Sequence, residues 1–359
     1  DTSKNNDLTF SDTRTQSLSW RAKWSDQYQS RLAYTRGTDR YETSPSPYHT
    51  KTRIDTYLWH HELNMGIHRA SLDFERRVDN INNTSLNPKP QQKRSQNAVA
   101  LGYGLASGAH TLQVNVRGDD DSDFGHKATG SLGYAYSFAD GWRVSASTGT
   151  AFRAPSLYQR FSQYGKPGLA PEEARNQEIA LRYAKGGDEF SATLYRSRYS
   201  NQIVFGPGKN NGGTCPSTLG CYTNIAKAKN DGLTLAAATR VQAVRIGASL
   251  DLQNPKDVTT NQLLGRRARK ALKLTADTQL AGVDLGAEVQ AVGRRFDTNK
   301  ETNLLGGYTL LNLSAKKAIS NSWELVGRID NLGDKNYETA KDYATAGRQL
   351  YIGLRWTGQ

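Results

Sequence analysis

The sequence predicts an all-β protein, a transmembrane antiparallel β-barrel, on three observations. Apolar residues recur with a period of two along most of the chain, tight turns alternate with long polar connections, and tryptophans gather beside the tight turns. The period is clearest in VRIGASLDLQ, where Val244, Ile246, Ala248, Leu250 and Leu252 share one face and Arg245, Gly247, Ser249, Asp251 and Gln253 the other, because successive strand residues point to opposite sides. VDLGAEVQA repeats it, with Val283, Leu285, Ala287 and Val289 opposing Asp284, Gly286, Glu288 and Gln290, and so do EIALRY and QLYIGLRW. About seventeen such segments cover the chain, mostly about 10 to 13 residues long, the length that a tilted membrane strand requires. The apolar set, Val244, Ile246, Leu250 and Leu252 among it, is expected to face lipid.

The connections alternate in length. SDQ is followed by GTDRYETSPSPYHTK, NMG by DNINNTSLNPKPQQ, ASGA by GDDDSDFG, ADG by a long segment containing FRAPSLY, KGGD by a cysteine-bearing loop, and VQA by NPKDVTTNQLLG. Short on one rim and long on the other is the pattern of an outer-membrane barrel, with periplasmic turns and extracellular loops. A soluble β-sandwich does not keep that parity over so many hairpins. Trp24 precedes a short turn, Trp142 and Trp323 follow short turns, and Trp356 stands near the C-terminus, as an aromatic girdle at one membrane interface requires.

Composition removes the other classes. Hydrophobic residues are 36% of 359, yet there are 18 Tyr, 6 Trp and 9 Phe, so disorder is excluded, and no run approaches the roughly 20 apolar residues of a spanning helix. The net charge of +13 would suit a nucleic-acid partner, but the cations are scattered among acids, with no zinc-finger spacing, basic helix or RNP-like motif. They fit equally an anionic membrane surface, outer-membrane lipid and lipopolysaccharide included. None of the six histidines sits in an HExxH or GxSxG context, so no catalytic residue is assigned and the chain is not expected to be an enzyme. Cys215 and Cys221 lie in GGTCPSTLGCY, a Gly- and Pro-rich loop. A disulfide between them at the tip of an extracellular loop implies an oxidising compartment; two free thiols or half a metal site are the alternatives.

The whole of residues 1–359 reads as one barrel domain. About seventeen strands is an odd count, whereas single-chain bacterial barrels are even. The polar opening DTSKNNDLTFSDT falls on the outer side by parity, so the sequence reads as the C-terminal portion of a larger barrel.

GTAFRAPSLYQRFSQYGKPGLAPEEARNQEIALRY, RGDDDSDFGHKAT, LLGRRARKALKL and RIDNLGDKNYETAKDYATAGRQLYIGLRW resemble the TonB-dependent outer-membrane receptors, and most closely their cobalamin transporter branch. The resemblance covers essentially the whole chain in order. Gly333 departs from it, standing in the NLxD turn where the family usually has an aromatic. The resemblance implies a bacterial outer-membrane barrel of about 22 strands, with about five strands, a plug domain and a TonB-binding segment preceding this chain. It implies uptake of a scarce, large nutrient, cobalamin, with energy delivered by TonB. A ferric siderophore or haem is the alternative ligand, and a passive porin the remaining one.

Candidate site residues follow from the same match. Arg266 in LLGRRARK and Tyr343 in KDYATAGR correspond to positions that face ligand from the outer loops, an Arg able to bond amide or phosphate oxygens and a Tyr with a flat amphipathic face. Calcium in the extracellular loops is implied by aspartates of the earlier loops, of which only Asp1 and Asp7 fall within this chain; no other cofactor is expected. The run Asp119, Asp120, Asp121 and Asp123 has oxygens suited to calcium but no loop signature, so it reads as a solvated acidic loop. Asn331, Asp334 and Asn336 read as turn formers, and Arg153 and Pro155 as fixing how a strand leaves the membrane.

Overall fold

A computed structural model describes residues 8–45, 48–86, 91–206, 215, 218, 220–299 and 301–358. Among them, seventeen strands belong to one sheet and two short ones form a separate pair. Every pairing with a described register is antiparallel. The chain divides into two compact units, residues 1–134, 147–175 and 199–227 in the first and 135–146, 176–198 and 228–359 in the second.

The first unit contains β1 (Leu8–Lys23), β2 (Tyr28–Ser44), β3 (Tyr48–Met65), β4 (His68–Asn83), β5 (Gln91–Ser107) and β6 (His110–Asp121). Trp20 pairs with Leu32, Leu32 with Trp59, Trp59 with Phe74 and Phe74 with Val99. Cross-strand partners share a face, so this row is continuous, and its members are 40–54% exposed. So large an apolar surface is stable only against lipid. The opposite face of β4 carries Arg69, Ser71, Asp73, Glu75, Arg77 and Asp79, the polar lining of a lumen. The β3–β4 and β5–β6 turns each use a glycine in the left-handed region, Gly66 at φ 61° and Gly108 at φ 54°, which the two-residue hairpin geometry favours.

Next come β7 (Gly125–Ala139), β8 (Trp142–Arg153), β9 (Glu172–Lys185), β10 (Asp188–Gly206) and β11 (Cys221–Val241), whose residues are divided between the units. The five-residue helix α1 (Leu157–Phe161) lies in the first.

The second unit continues with β12 (Val244–Asp257), β13 (Lys270–Leu280), β14 (Val283–Val292), the short pair β15 (Arg295–Phe296) and β16 (Leu304–Leu305), then β17 (Tyr308–Ala318), β18 (Trp323–Asp330) and β19 (Gln349–Trp356). Leu250 pairs with Leu272, Leu272 with Ala291 and Leu274 with Val289, an apolar row, while Ser249 pairs with Lys273 and Lys273 with Gln290 on the other face. Asp251 accepts from Thr234 Oγ1 at 2.7 Å and Arg245 donates to Glu189 Oε1 at 3.0 Å. Both lie on the strand face opposite Val244, Ile246, Leu250 and Leu252. Trp323 pairs across the strands with Trp356, and Trp142 sits 4.9 Å from Tyr183. In the first unit Trp24 Nε1 donates to Ser30 Oγ at 2.8 Å. Each aromatic flanks a short turn or the chain end.

Strand length corrects the sequence reading. β1 to β5 run for 16 to 18 residues, and β10 and β11 for 19 and 21, longer than the expected 10 to 13. Most of GTDRYETSPSPYHTK and GDDDSDFG is strand, since β2 extends to Ser44, β3 begins at Tyr48 and β6 extends to Asp121. The reason is solvent: beyond the bilayer both faces of a hairpin meet water, so pairing continues while the apolar alternation that identifies a strand disappears.

Candidate functional site

Two clusters of side chains stand out at the outer ends of the strands, one in each unit. In the first, the lumen faces of β4, β5 and β6 build a charged wall around a cavity of about 590 Å³. Arg94, 6% exposed, donates from one terminal nitrogen to Asp79 at 2.6 Å and from the other to the Pro155 carbonyl at 2.6 Å, and its Nε lies 3.6 Å from Asp121. Arg117 bridges Glu75 at 3.0 Å and Asp119 at 2.9 Å, and Gln96 adds a donor to Asp119 at 2.7 Å. Asp119 and Asp121 are 5% and 2% exposed. They are therefore not a solvated acidic loop, as the sequence suggested, but buried strand residues neutralised by arginines. Asp123 pairs with Arg160.

This wall holds the segment that follows β8. Ser156 caps α1 by accepting from the Gln159 amide at 3.1 Å, and the Gln159 side chain accepts from the Ser156 amide at 2.9 Å, a reciprocal capping box that makes so short a helix tenable. Leu157 packs with Ile81 and Leu86 in a small buried cluster. Tyr48 donates to the Tyr158 hydroxyl at 2.8 Å while Asn83 donates to Tyr48 at 2.9 Å; burial first, and then that contact, push the Tyr158 phenol upward. Arg153 pairs with Glu172 and Pro155 offers its carbonyl to Arg94, so both anchor the strand exit. Cys215 and Cys221 are bonded to each other. Both are buried, Cys221 opens β11, and Cys215 lies against the Gly206 carbonyl that ends β10. The bond thus closes the base of the loop, where the sequence reading put it at the tip.

In the second unit three connections, residues 258–269, 293–307 and 331–348, are organised by one carboxylate. Asp297, whose side chain is 10% exposed, accepts from Arg266 Nε at 2.7 Å and from the Lys341 amide at 3.2 Å. The Arg266 bond holds the Asp297 carboxyl below the usual carboxylate range and raises the guanidinium in turn. Arg266 reaches it from a left-handed backbone, φ 59°, with its amide on the Phe296 carbonyl at 2.6 Å. Gly265 beside it has no alternative, because a Cβ there would lie 2.7 Å from the Asp297 carbonyl oxygen. Arg295 donates to the Glu338 carbonyl at 2.7 Å and sits 5.5 Å above Tyr308, whose ring is 4.3 Å from Tyr337. Tyr343 is 70% exposed. The sequence-derived pair Arg266 and Tyr343 therefore falls on neighbouring loops of one cluster.

Around that cluster, among the described residues of the three connections, Arg266, Arg269, Arg294, Lys335, Lys341 and Arg348 are exposed, against Glu301, Asp334 and Asp342. Asn331 is buried and exchanges two hydrogen bonds with the Lys335 backbone, at 2.8 and 3.0 Å, and Asp334 accepts from the Arg348 amide at 2.8 Å. NLGDKN is thus a turn, as read. Asp1 and Asp7 lie outside the described residues, among which no group of three His, Cys, Asp or Glu is placed to hold a metal ion. Sequence reasoning missed Asp297 and the wall. Glu75, Arg77 and Asp79, alternating in sign at every second position, carry the signal for the wall; Asp297 carries none.

A family model described as TonB dependent receptor-like, β-barrel, matches residues 1–332. Among solved structures the chain is similar to the ferric enterobactin receptor of Pseudomonas aeruginosa (TM-score 0.79, 18% identity, 97% of this chain and 62% of that one). It is similar also to the siderophore receptor PirA of the same organism (0.78, 18%, 98% and 64%) and to the copper transporter OprC (0.77, 16%, 96% and 66%). The chain spans about two thirds or less of the length of each.

Proposed function

The chain belongs to the TonB-dependent receptor β-barrel family and is an outer-membrane protein; from that premise we propose that the complete receptor captures an anionic metal chelate of the ferric siderophore class and imports it with energy from TonB. The observation that carries this is the excess of exposed cations around Asp297, six against three acids among the described residues of those loops. Such a surface attracts an anionic ligand and gives arginines for bidentate contact with its oxygens. Cobalamin, the ligand that the sequence resemblance suggested, gains less from that charge, and the similar solved structures bear names of iron-chelate and copper receptors. Copper itself would need a cluster of soft or imidazole ligands.

Equilibrium binding of a panel of ferric siderophores, haem and cyanocobalamin to the full-length receptor, with and without calcium, tests the reading. One or more ferric siderophores are expected to bind, more weakly as salt is raised. Tight binding of cyanocobalamin with no siderophore bound would return the assignment to the cobalamin branch and leave the barrel untouched.

A further inference from the structure

Four tyrosines of the first unit, Tyr48, Tyr158, Tyr164 and Tyr222, gather at the outer ends of the strands, where the segment that follows β8 meets β3 and β11. The Tyr48 and Tyr158 hydroxyl oxygens lie 2.8 Å apart, the Tyr158 and Tyr222 rings 6.3 Å apart, and Phe205 packs against Tyr164 at 5.8 Å and Tyr222 at 5.3 Å. All four tyrosines are half-buried, and Tyr158 lines the cavity of about 590 Å³ beside the lumen wall. Packing alone does not ask for this. Phenylalanine would fill the same space without drawing hydroxyl groups together out of water.

The oxygen of Tyr48 is the best prepared of the four. Asn83, fully buried, donates Nδ2 to it at 2.9 Å and is itself fixed by accepting from the Ser85 amide and hydroxyl, each at 2.6 Å. Burial raises the Tyr48 phenol, but hydrogen bonds with Thr50, Tyr158, Asn83 and Ser85 outweigh it and leave the phenol below its ordinary value. Tyr158 and Tyr222 move the other way, by burial first and then by the neighbouring phenols. One phenol is thus stabilised as an anion beside others that hold their protons. A metal ion seated on the pair reverses that preference, because a coordinating oxygen is deprotonated by the charge it binds.

Oxygens 2.8 Å apart match two neighbouring ligands of an octahedral ion, whose bonds of about 2.0 Å at right angles set about 2.8 Å between them. Phenolate is a hard anionic donor suited to a hard, highly charged ion, and tyrosinate is a known ligand of haem iron. We propose that Tyr48 and Tyr158 bind ferric iron directly, as two cis phenolates, when the iron arrives on a chelator that leaves two neighbouring coordination positions to water. On binding, each phenol releases its proton to solvent and its oxygen displaces one water from the iron, which stays ferric. Tyr222, edge-on to Tyr158, walls the site. The inference rests on the ferric-chelate reading for its supply of iron, and adds a class of cargo that exposed cations alone do not select, iron on an incomplete chelator.

Ferric nitrilotriacetate, whose tetradentate chelator leaves two cis positions to water, is the probe. Titrated into the full-length receptor in detergent, it is expected to give a tyrosinate-to-iron charge-transfer band in the visible, with tyrosinate ring modes enhanced in the resonance Raman spectrum excited there. Tyr48→Phe and Tyr158→Phe keep the rings, and each is expected to weaken binding about ten-fold or more, the double variant to abolish the band. Should the double variant fail to insert, Tyr158→Phe, which keeps Tyr48 and its Asn83 bond, decides the matter. Ferric siderophores that fill every coordination position are titrated in parallel. Absence of the band while a siderophore binds would overturn the phenol site and leave the ferric-chelate reading standing. A band undiminished in Tyr158→Phe would overturn it too, as an adventitious ion only. A band lost in that variant, with no siderophore bound by the unaltered protein, would uphold the phenol site and overturn the loop reading instead.

Discussion

The two outer clusters use the same residue types to opposite ends. Around Arg94 the charges are buried, opposed at about 3 Å and turned onto one another, so that Asp79, Asp121 and the Pro155 carbonyl share one guanidinium. Around Asp297 a single nearly buried carboxylate holds Arg266 and the Lys341 backbone while the cations themselves stay exposed. A buried and compensated network fixes a segment in place but offers little field to a ligand. An exposed excess of one sign does the reverse. The difference teaches where to look for capture, at the loops that are held by one anion and bristle with cations, and where to look for rigidity.

The largest effect expected from this contrast is at Arg94. Arg94→Ala takes the nearby cation from the buried Asp121 carboxylate and the donor from the Pro155 carbonyl, while Asp79 keeps Arg77 at 2.7 Å, which is expected to cost about 3 kcal/mol. Denaturant unfolding should report the loss, and limited proteolysis should show new cleavage in residues 154–171. Unchanged stability would mean that the wall is not what holds the segment.

The disulfide ranks next. Cys215 and Cys221 are separated by six residues, and the entropy of closing so short a loop corresponds to about 2 kcal/mol. C215S/C221S is expected to lower stability by that order, and alkylation with and without reductant, read by mass, checks the bond itself. Two freely alkylated thiols in envelope-derived protein would refute it.

How far the sequence reveals these regions follows from the solvent each residue meets. Within the bilayer one face sees lipid and the other the lumen, so period two, turn parity and the rim tryptophans identify β12, β14 and β19 directly. Outside it both faces see water, and the upper halves of β2, β3 and β6 pass for loop. The Asp119–Asp123 run passes for a loop for that reason: Arg94, on β5, comes near Asp121 only through strand pairing, and Arg117, two residues from Asp119 on β6, shares its face only because the segment is strand. Arg266 and Tyr343 were accessible through resemblance. Asp297, a lone aspartate in a loop, gains its role from three connections meeting, which no local pattern records.

In the second unit, Arg266→Ala is expected to weaken ligand binding by about 1–2 kcal/mol and Tyr343→Ala by about 1 kcal/mol, if each contacts the ligand as proposed. Isothermal titration would read both. Equal affinity in both variants would move the binding surface elsewhere.

The smallest effect is with pH. The Asp297 carboxyl is held below its usual range by Arg266, so its contribution is present above the ordinary carboxylate value near pH 4 and is lost only as pH falls through the lowered one. Arg266 is half exposed, which limits that contribution to about 0.5–1 kcal/mol. Loop order, followed by protease sensitivity of residues 258–269, is expected to be flat from pH 8 to about pH 5 and to fall below about pH 4. A transition near neutrality would assign control to another group.

The most direct test of the cationic loops as the capture surface is the change in ferric siderophore affinity caused by R266E/K341E in the full-length receptor, measured at low and high salt. The expected result is a loss of about 100-fold or more at low salt, shrinking as ionic strength rises, because reversing two exposed charges removes a screened attraction. An affinity unchanged at both salt concentrations would contradict it.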